Sequence, residues 1–183
     1  MIEDLKLDGL KLILPKKHID DRGFFCETYN AKIWREAGLE YNFVQDNHSL
    51  SRDAGTLRGL HFQTPPFAQD KLVRVLRGRV LDVAVDLRKS SPTFGQYVMV
   101  ELSYNNWKQL FIPVGFAHGF ITLEPDTEVF YKVTNFYSSA HDMGVSWHDP
   151  ELAIEWPIDN MEVILSEKDR KLPLLSELKE LFP

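Results

Sequence analysis

The stretch KLVRVLRGRVLDVAVDLR, residues 71–88, decides the fold class. Apolar residues recur with a period of two on each side of Arg77-Gly78-Arg79, which is the pattern of half-buried β-strands. A glycine between two such runs is typical of a tight turn, so we predict two strands paired with each other as a hairpin. The apolar positions are Val73 and Val75 before the turn, and Val80, Val83, Val85 and Leu87 after it.

Short β-type segments separated by Gly, Pro and Asn continue on both sides of this stretch. Their spacing of roughly ten residues is typical of an all-β sandwich or barrel. We therefore predict an all-β protein, a small β-barrel of jelly-roll type, in a single domain that spans residues 1–183. The other predicted strands lie in residues 9–15, 18–30, 43–47, 56–63, 95–103, 108–113, 118–124 and 128–137.

A few short helices are expected at the periphery of this barrel. The segment Ala31–Leu39 has Ile33 and Trp34 at helical spacing and a glycine stop at Gly38. The tail begins with Ser166, a residue that favours helix N-termini, and we predict a short helical end there.

Composition excludes several classes of function. The chain has 21 Lys and Arg against 27 Asp and Glu, a net charge of −6, which argues against sequence-independent DNA binding because that binding neutralises phosphates with basic residues. Cys26 is the one cysteine, so no internal disulfide can form and a reducing compartment is expected. The first residues are too charged for a signal peptide and no apolar run is long enough to span a membrane, so we expect a cytoplasmic protein.

Two histidines lie beside glycines in the strand-rich region, His61 in RGLHFQ and His118 in PVGFAHGF. A cupin-type metal site needs a His-x-His pair, but residue 63 is glutamine, so we predict no metal and no other cofactor. Without a metal, the barrel interior can still carry proton chemistry. A base near neutral pH, nearby cations and a weak acid are what is needed to move a proton next to a carbonyl group. The candidates are His61, Lys71, Arg58 and Tyr131.

The basic residues also suit a diphosphate, since guanidinium groups bind phosphate with two hydrogen bonds. Arg22, Arg58, Lys71 and Arg74 are the candidates. The sequence contains neither GxGxxG nor GxxxxGK[ST], so neither a Rossmann site nor a P-loop is indicated.

In these and further motifs, the chain resembles a known family, the dTDP-4-dehydrorhamnose 3,5-epimerases. The likeness runs from about residue 20 to 169 with its motifs in the same order and spacing. The motifs are DDRGFFCETYN, FVQDNHS, LRGLHFQ, KLVRVLRGRVLDVAVDLRKSSPTFGQ, IPVGFAHGF, VFYKVTNFYS, AIEWP and LSEKD. The resemblance implies a cupin-like jelly roll that is metal-independent and homodimeric. It implies inversion of C3 and C5 of a 4-keto-6-deoxyhexose carried on dTDP, on the way to dTDP-L-rhamnose.

The resemblance also implies roles for individual residues. His61 matches the general base, Asp169 the carboxylate that orients it, Tyr131 the acid on the opposite face of the sugar, and Lys71 the lysine near the C4 oxygen. Further positions match substrate-binding residues, and the first two of them reach into the partner subunit's site. These are Arg22, Glu27, Gln45, Asn47, Arg58, His118, Asp142 and Lys168; at Asp142 this chain has YSSAHD where the family has YSPxxE.

Three alternatives stay open at the level of sequence. The epimerases that invert C3 alone share most of these motifs. A cupin that binds a nucleotide sugar without turnover differs from an enzyme in whether His61 and Tyr131 face one cavity from opposite sides. A metal-dependent cupin oxygenase or isomerase would be distinguished by metal analysis.

Overall fold

Antiparallel β-sheets form the framework of the protein in the computed structural model, which describes residues 1–159, 161–179 and 181–183. The first large sheet has six strands in the spatial order β1-β2-β10-β7-β12-β5. These strands are β1 (Ile2–Asp4), β2 (Lys11–Ile13), β5 (Gln45–Ser51), β7 (Lys71–Arg77), β10 (Gln109–Ile112) and β12 (Thr127–Val133).

The second large sheet has five strands in the order β13-β6-β11-β8-β9. Its strands are β6 (Leu57–Gln63), β8 (Arg79–Asp86), β9 (Tyr97–Ser103), β11 (Phe116–Thr122) and β13 (Asp142–Gly144). A separate two-stranded sheet joins β3 (Lys17–Asp20) to β4 (Gly23–Cys26). The predicted all-β class is therefore confirmed, with β1 and β13 as strands that the sequence pattern did not reveal.

The two large sheets pack face to face around a shared apolar core. Val73 and Val129 from the first sheet meet Val80, Ala84 and Phe120 from the second. Alternate residues of the same strands point the other way, and several of them, such as Leu72, Val83 and Val85, are also buried. On the outer side, Leu72 and Phe111 pack against the helix region, and the second sheet is covered by the C-terminal segment.

The predicted hairpin between the two halves of 71–88 is wrong. Both strands form where the alternation placed them, but β7 pairs with β10 and β12, whereas β8 pairs with β9 and β11. Gly78 thus carries the chain from one sheet to the other. Alternation reports which residues are strand and which face they use, and it carries no information on the partner strand.

The helical predictions hold with shorter bounds. The helix α1 covers Ala31–Glu36, its first turn is capped by the Asn30 side chain, and Trp34 is its buried residue. The tail forms two short 3-10 turns, Asp169–Lys171 and Leu175–Glu177. Within the described residues, no helix is both long and apolar enough to cross a membrane.

Gly78 and Gly95 allow a matched test of the sheet-to-sheet turn, because both have a φ of 75°. A Cβ on Gly78 would lie 2.3 Å from Oγ1 of the buried Thr127, whereas a Cβ on Gly95 would meet nothing within 4 Å. We expect Gly95→Ala to lower the free energy of unfolding by about 1 kcal/mol through backbone strain alone. We expect Gly78→Ala to cost at least about 2 kcal/mol more, because Thr127 must also move. Urea denaturation measures the free energy of unfolding of both variants. An equal decrease in the two would contradict the proposed contact between residue 78 and Thr127.

Candidate active site

A cleft opens between the two large sheets at one end of the core. Two adjoining cavities, of about 270 and 170 Å³, share His61, Lys71, Tyr131 and Lys168 in their walls and so form one site. His61 comes from β6 in the second sheet, Tyr131 from β12 in the first, and Lys71 from the start of β7. The sheets face each other, so the imidazole and the phenol lie on opposite walls of this cleft.

His61 is held by a carboxylate from the tail. Its Nε2 lies 2.5 Å from Oδ1 of Asp169, which is buried. Burial of Asp169 acts to raise its pKa, but the hydrogen bonds from His61 and Ser166 outweigh burial and hold the pKa below its ordinary value. Asp169 therefore stays ionised at neutral pH. Because Nε2 faces Asp169, Nδ1 is the ring nitrogen left to accept a proton from a bound molecule.

Lys71 is buried at the base of the cleft, where its Nζ donates a hydrogen bond of 3.4 Å to the His61 carbonyl oxygen. Burial lowers the pKa of this lysine to about 8, although the negative charges of Asp82 and Asp142 oppose the change. The ammonium is thus the main form at neutral pH, and it is buried at the base of the cleft. A cation in such surroundings stabilises a developing oxyanion strongly.

Tyr131 is paired in register with Asn47 on one side and Val73 on the other. Burial raises the pKa of its phenol, an effect that the positive charge of Arg58 partly opposes. The phenol is therefore protonated at neutral pH and can serve as a proton donor.

His118 lies directly across from His61 in the β6–β11 pair. Both carboxylate oxygens of Asp82, which is fully buried, lie within 3.0 Å of its Nε2. Burial lowers the pKa of His118 despite this carboxylate. His118 thus enters the cleft wall as a neutral or weakly basic ring, held in one orientation.

Arg58, on β6, adds a further cation to the cleft wall; it donates from Nε to Ser51 Oγ at 3.2 Å and from Nη2 to the Leu50 carbonyl oxygen at 3.2 Å. On β5 of the opposite sheet, Gln45 donates to Asn47 at 2.9 Å, and both line the smaller cavity. These groups form polar walls next to His61 and Tyr131.

Asp142 lines the smaller cavity. It accepts hydrogen bonds from the Tyr137 hydroxyl, at 2.9 Å, and from the Lys168 ammonium. The structure therefore brings together ten of the sequence-predicted site residues around one cleft. The ten are Gln45, Asn47, Arg58, His61, Lys71, His118, Tyr131, Asp142, Lys168 and Asp169.

Arg22 and Glu27 do not belong to this chain's own cleft. Arg22 lies in the turn between β3 and β4, pairs with Asp20, and has a side chain 89 % exposed. Glu27 accepts a hydrogen bond from Asn30 and lines a different cavity, near the N-terminus. A role for either residue in catalysis would require a second subunit.

Several cleft residues escaped the sequence reasoning. Ser49 continues the alternation of Gln45 and Asn47 along β5, so a strict period of two would have found it. The others come from segments without a clear pattern or have roles that only the fold reveals. They are Gln63, Gln69, Asp82, Phe120, Tyr137 and Ser166.

Gln63 illustrates why the cleft differs from a cupin metal site. Its amide donates to the carbonyl oxygens of Phe67 and Phe136 and accepts from the Ser138 amide. The side chain is thus occupied in holding two loops. In the part of the chain that the structure describes, no three His, Cys, Asp or Glu side chains cluster as a metal ion would need.

Size alone does not locate the site. A larger cavity, of about 480 Å³, lies beside α1 and is lined by residues such as Arg35, Glu40 and Tyr41. It contains none of the residues that the sequence singled out, and no histidine or lysine is part of its wall. The smaller cleft instead brings together a histidine, a buried lysine and a tyrosine, which can accept and donate protons.

Comparison with known proteins agrees with this assignment. Residues 4–177 match the family model described as dTDP-4-dehydrorhamnose 3,5-epimerase. A protein of that name from Sinorhizobium fredii is 51 % identical over 180 residues, which cover 98 % of this chain and 92 % of the relative.

Two solved structures are similar throughout. The Bacillus anthracis dTDP-4-dehydrorhamnose 3,5-epimerase, with TDP and PPi bound, has a TM-score of 0.92 and 53 % identity, covering 95 % of this chain and 98 % of its own. The Legionella pneumophila dTDP-6-deoxy-D-glucose-3,5-epimerase, in complex with dTDP-4-keto-L-rhamnose, has a TM-score of 0.93 and 47 % identity, covering 97 % and 94 %. The chain thus belongs to the dTDP-4-dehydrorhamnose 3,5-epimerase family.

Proposed function

We propose that this protein is an isomerase that epimerises dTDP-4-dehydro-6-deoxy-D-glucose at C3 and C5, giving dTDP-4-dehydro-L-rhamnose for dTDP-L-rhamnose biosynthesis. The observation that carries the proposal is the placement of His61, with Asp169 behind it, and Tyr131 on opposing sheets of one cleft. A nucleotide-sugar-binding module without turnover has no need of a base and an acid on opposite walls. Family membership gives independent support.

In the first step, His61 removes a proton from the carbon next to the C4 ketone. Nδ1 takes the proton, and the electrons of the C–H bond form a carbon–carbon double bond while the carbonyl electrons move to the C4 oxygen. Lys71 donates to this oxyanion, and Asp169 stabilises the imidazolium. The proton of such a carbon is far less acidic than imidazolium, so this step needs several kcal/mol of enolate stabilisation, which one or two preorganised donors supply.

In the second step, the Tyr131 hydroxyl gives its proton to the opposite face of the same carbon, and the enolate electrons return to re-form the ketone. The configuration inverts because removal and delivery occur from different walls. Exchange with water then returns a proton to Tyr131 and takes one from His61. The same cycle at the second carbon completes the double epimerisation.

The rest of the cleft binds the substrate in this proposal. Arg58 and Lys168 supply positive charge for the diphosphate. Gln45, Asn47, His118 and Asp142 supply hydrogen bonds to the sugar and the nucleotide.

The packed antiparallel sheets are those of a cupin-like jelly roll, a single domain over residues 1–183. A cytoplasmic location suits the single Cys26.

The partner in this proposal is a second copy of the chain. The β3–β4 hairpin exposes Ile19, Phe24 and Phe25, with 78, 46 and 69 % of their surfaces accessible. Apolar side chains on a projecting hairpin favour burial against another subunit. In a symmetric homodimer, this hairpin carries Arg22 and Glu27 into the partner's cleft.

His61→Ala and Tyr131→Phe separate the two proton transfers. We expect His61→Ala to lower deuterium exchange at both C3 and C5 by about 10²–10⁴-fold, because His61, paired with Asp169, is the proposed base for both protons. We expect Tyr131→Phe to retain exchange through His61 with retention of configuration, while inversion falls sharply. NMR of dTDP-4-dehydro-6-deoxy-D-glucose in deuterated water measures both.

Three results would contradict these assignments. Equal loss of exchange and inversion in Tyr131→Phe would place the phenol in the base machinery. Exchange confined to C3 in the unaltered protein would make it a 3-epimerase. No exchange at either carbon would leave a binding module.

Subunit mixing tests the shared site. We expect an Arg22→Ala/Glu27→Ala chain and a His61→Ala chain to have low activity separately. After mixing and reassembly, each heterodimer regains one intact cleft, so random pairing restores about a quarter of the sites. Light scattering measures the assembly and the exchange assay the activity. An unaltered protein that is monomeric at micromolar concentration and still active would contradict the proposal.

Chelation tests the absence of a catalytic metal. Because the Gln63 amide is occupied by the loops around it, we expect full activity after exhaustive dialysis against EDTA, with metal content checked by mass spectrometry. Activity that vanishes on chelation and returns with one particular metal would instead support a metal-dependent isomerase.

A further inference from the structure

Ser166 lies behind the His61–Asp169 pair, in the tail just before the 3-10 turn Asp169–Lys171. Its Oγ accepts a hydrogen bond of 3.0 Å from the Asp169 backbone N–H and lies 2.8 Å from Asp169 Oδ2. A backbone N–H can only donate, so it occupies a lone pair of Oγ. The hydroxyl proton is thus left for the ionised carboxylate. Unlike that of most serines, the direction of this O–H is fixed by its partners.

The two oxygens of Asp169 are therefore used by different groups. Oδ1 faces Nε2 of His61 at 2.5 Å, and Oδ2 faces the Ser166 hydroxyl. Asp169 is also buried, so water does not replace a lost donor readily. With both oxygens bonded, the plane of the carboxylate is fixed, and so is the plane of the imidazole that donates to it.

We propose that Ser166 is a positioning residue for proton removal: its hydroxyl holds Asp169 in the rotamer that aims Nδ1 of His61 at the substrate. This inference rests on the proposed function. Ser166 acts through Asp169 and His61, and its hydroxyl also withdraws charge from the carboxylate, which tunes how tightly the imidazolium proton is held.

Two other roles for this serine make different predictions. As a simple cap of the 3-10 turn, Ser166 would use only its lone pair, and its loss would lower stability alone. As a substrate contact, which its place in the cavity wall allows, its loss would raise KM and leave kcat unchanged. The positioning role instead predicts a lower kcat, an unchanged KM and an altered pH profile.

The test compares Ser166→Ala, Ser166→Gly and Ser166→Thr in the full chain, with the exchange assay in deuterated water as the readout. Ala and Gly both remove the hydroxyl, but glycine is tolerated at cap positions, so Ser166→Gly keeps the test valid where Ser166→Ala folds poorly. Thr retains the hydroxyl. Ser146→Ala is the matched control, since Ser146 is a buried serine just after β13 whose Oγ bonds to His148 Nδ1.

We expect Ser166→Ala and Ser166→Gly to lower kcat about 10- to 100-fold with KM within about twofold, as for loss of a hydrogen bond to a charged group. The acidic limb of kcat/KM should move to higher pH, because a carboxylate with one fewer donor binds the imidazolium proton more tightly. Ser166→Thr, which keeps the hydroxyl, should have the kcat and the acidic limb of the unaltered protein. Ser146→Ala should change the melting temperature without moving the pH limb.

A direct readout does not depend on turnover. The proton between His61 and Asp169 should give a downfield NMR signal that shifts in Ser166→Gly and not in Ser146→Ala. An unchanged signal, an unchanged acidic limb or a rise in KM alone would overturn the proposal. An unaltered protein that catalyses no exchange would overturn the proposed function instead, whereas normal turnover with an unaffected Ser166→Gly variant would overturn only the role of Ser166.

Discussion

Apolar contact between the two large sheets is the constraint on which the rest of the structure depends. Val73, Val129, Val80 and Phe120 exclude water from the space between the sheets and set the distance between the two walls of the cleft. At the end of this core, the same inward-facing positions change from aliphatic to polar. Val73 and Lys71 occupy one face of β7, and Val129 and Tyr131 one face of β12. The active site is thus an extension of the core with different side chains.

Such a site places charges where burial is costly. Asp82 is fully buried, and Lys71 and His118 are nearly so. Each is tolerated because another group of the cleft compensates it: His118 bonds to Asp82, and Asp82 also faces the charge of Lys71. This arrangement stabilises the fold less well than an apolar one would. It holds an ammonium in surroundings that contain little water, where an enolate oxygen is stabilised most.

The sequence could predict the strands because the alternation of apolar and polar residues is a local property. It could not predict which strands pair, because pairing joins segments that are far apart in the chain. The strands on either side of Gly78 formed as expected, yet each joined a different sheet. The same distinction applies to the cleft. Histidine, lysine and tyrosine stand out by their chemistry, so His61, Lys71 and Tyr131 could be proposed from the residues themselves.

Asp169 lies 108 residues from His61, and only a family resemblance connected the two before the fold did. Ser166 was expected to begin a helical end, but the 3-10 turn starts three residues later, at Asp169, and the bond from the Ser166 hydroxyl to the Asp169 carboxylate depends on how the tail returns to β6. The role of Arg22 and Glu27 could not be derived from the residues of one chain. In a single chain, Arg22 lies in the turn of the β3–β4 hairpin and Glu27 just after it, and neither lines that chain's own cleft, so their contact with a substrate could not be deduced from one chain.

The two-sheet architecture also explains how one site can invert more than one carbon. An enolate is planar, and a planar group between two walls presents one face to each. In the proposed mechanism, His61 on the second sheet and Tyr131 on the first each act on one of those faces, whichever carbon lies between them. Inversion then follows from the spacing of the sheets, while the choice of carbon depends on how the sugar is turned within the cleft. Stereochemistry is thereby a property of the rigid core, and selection of the carbon is a property of the polar groups that bind the sugar.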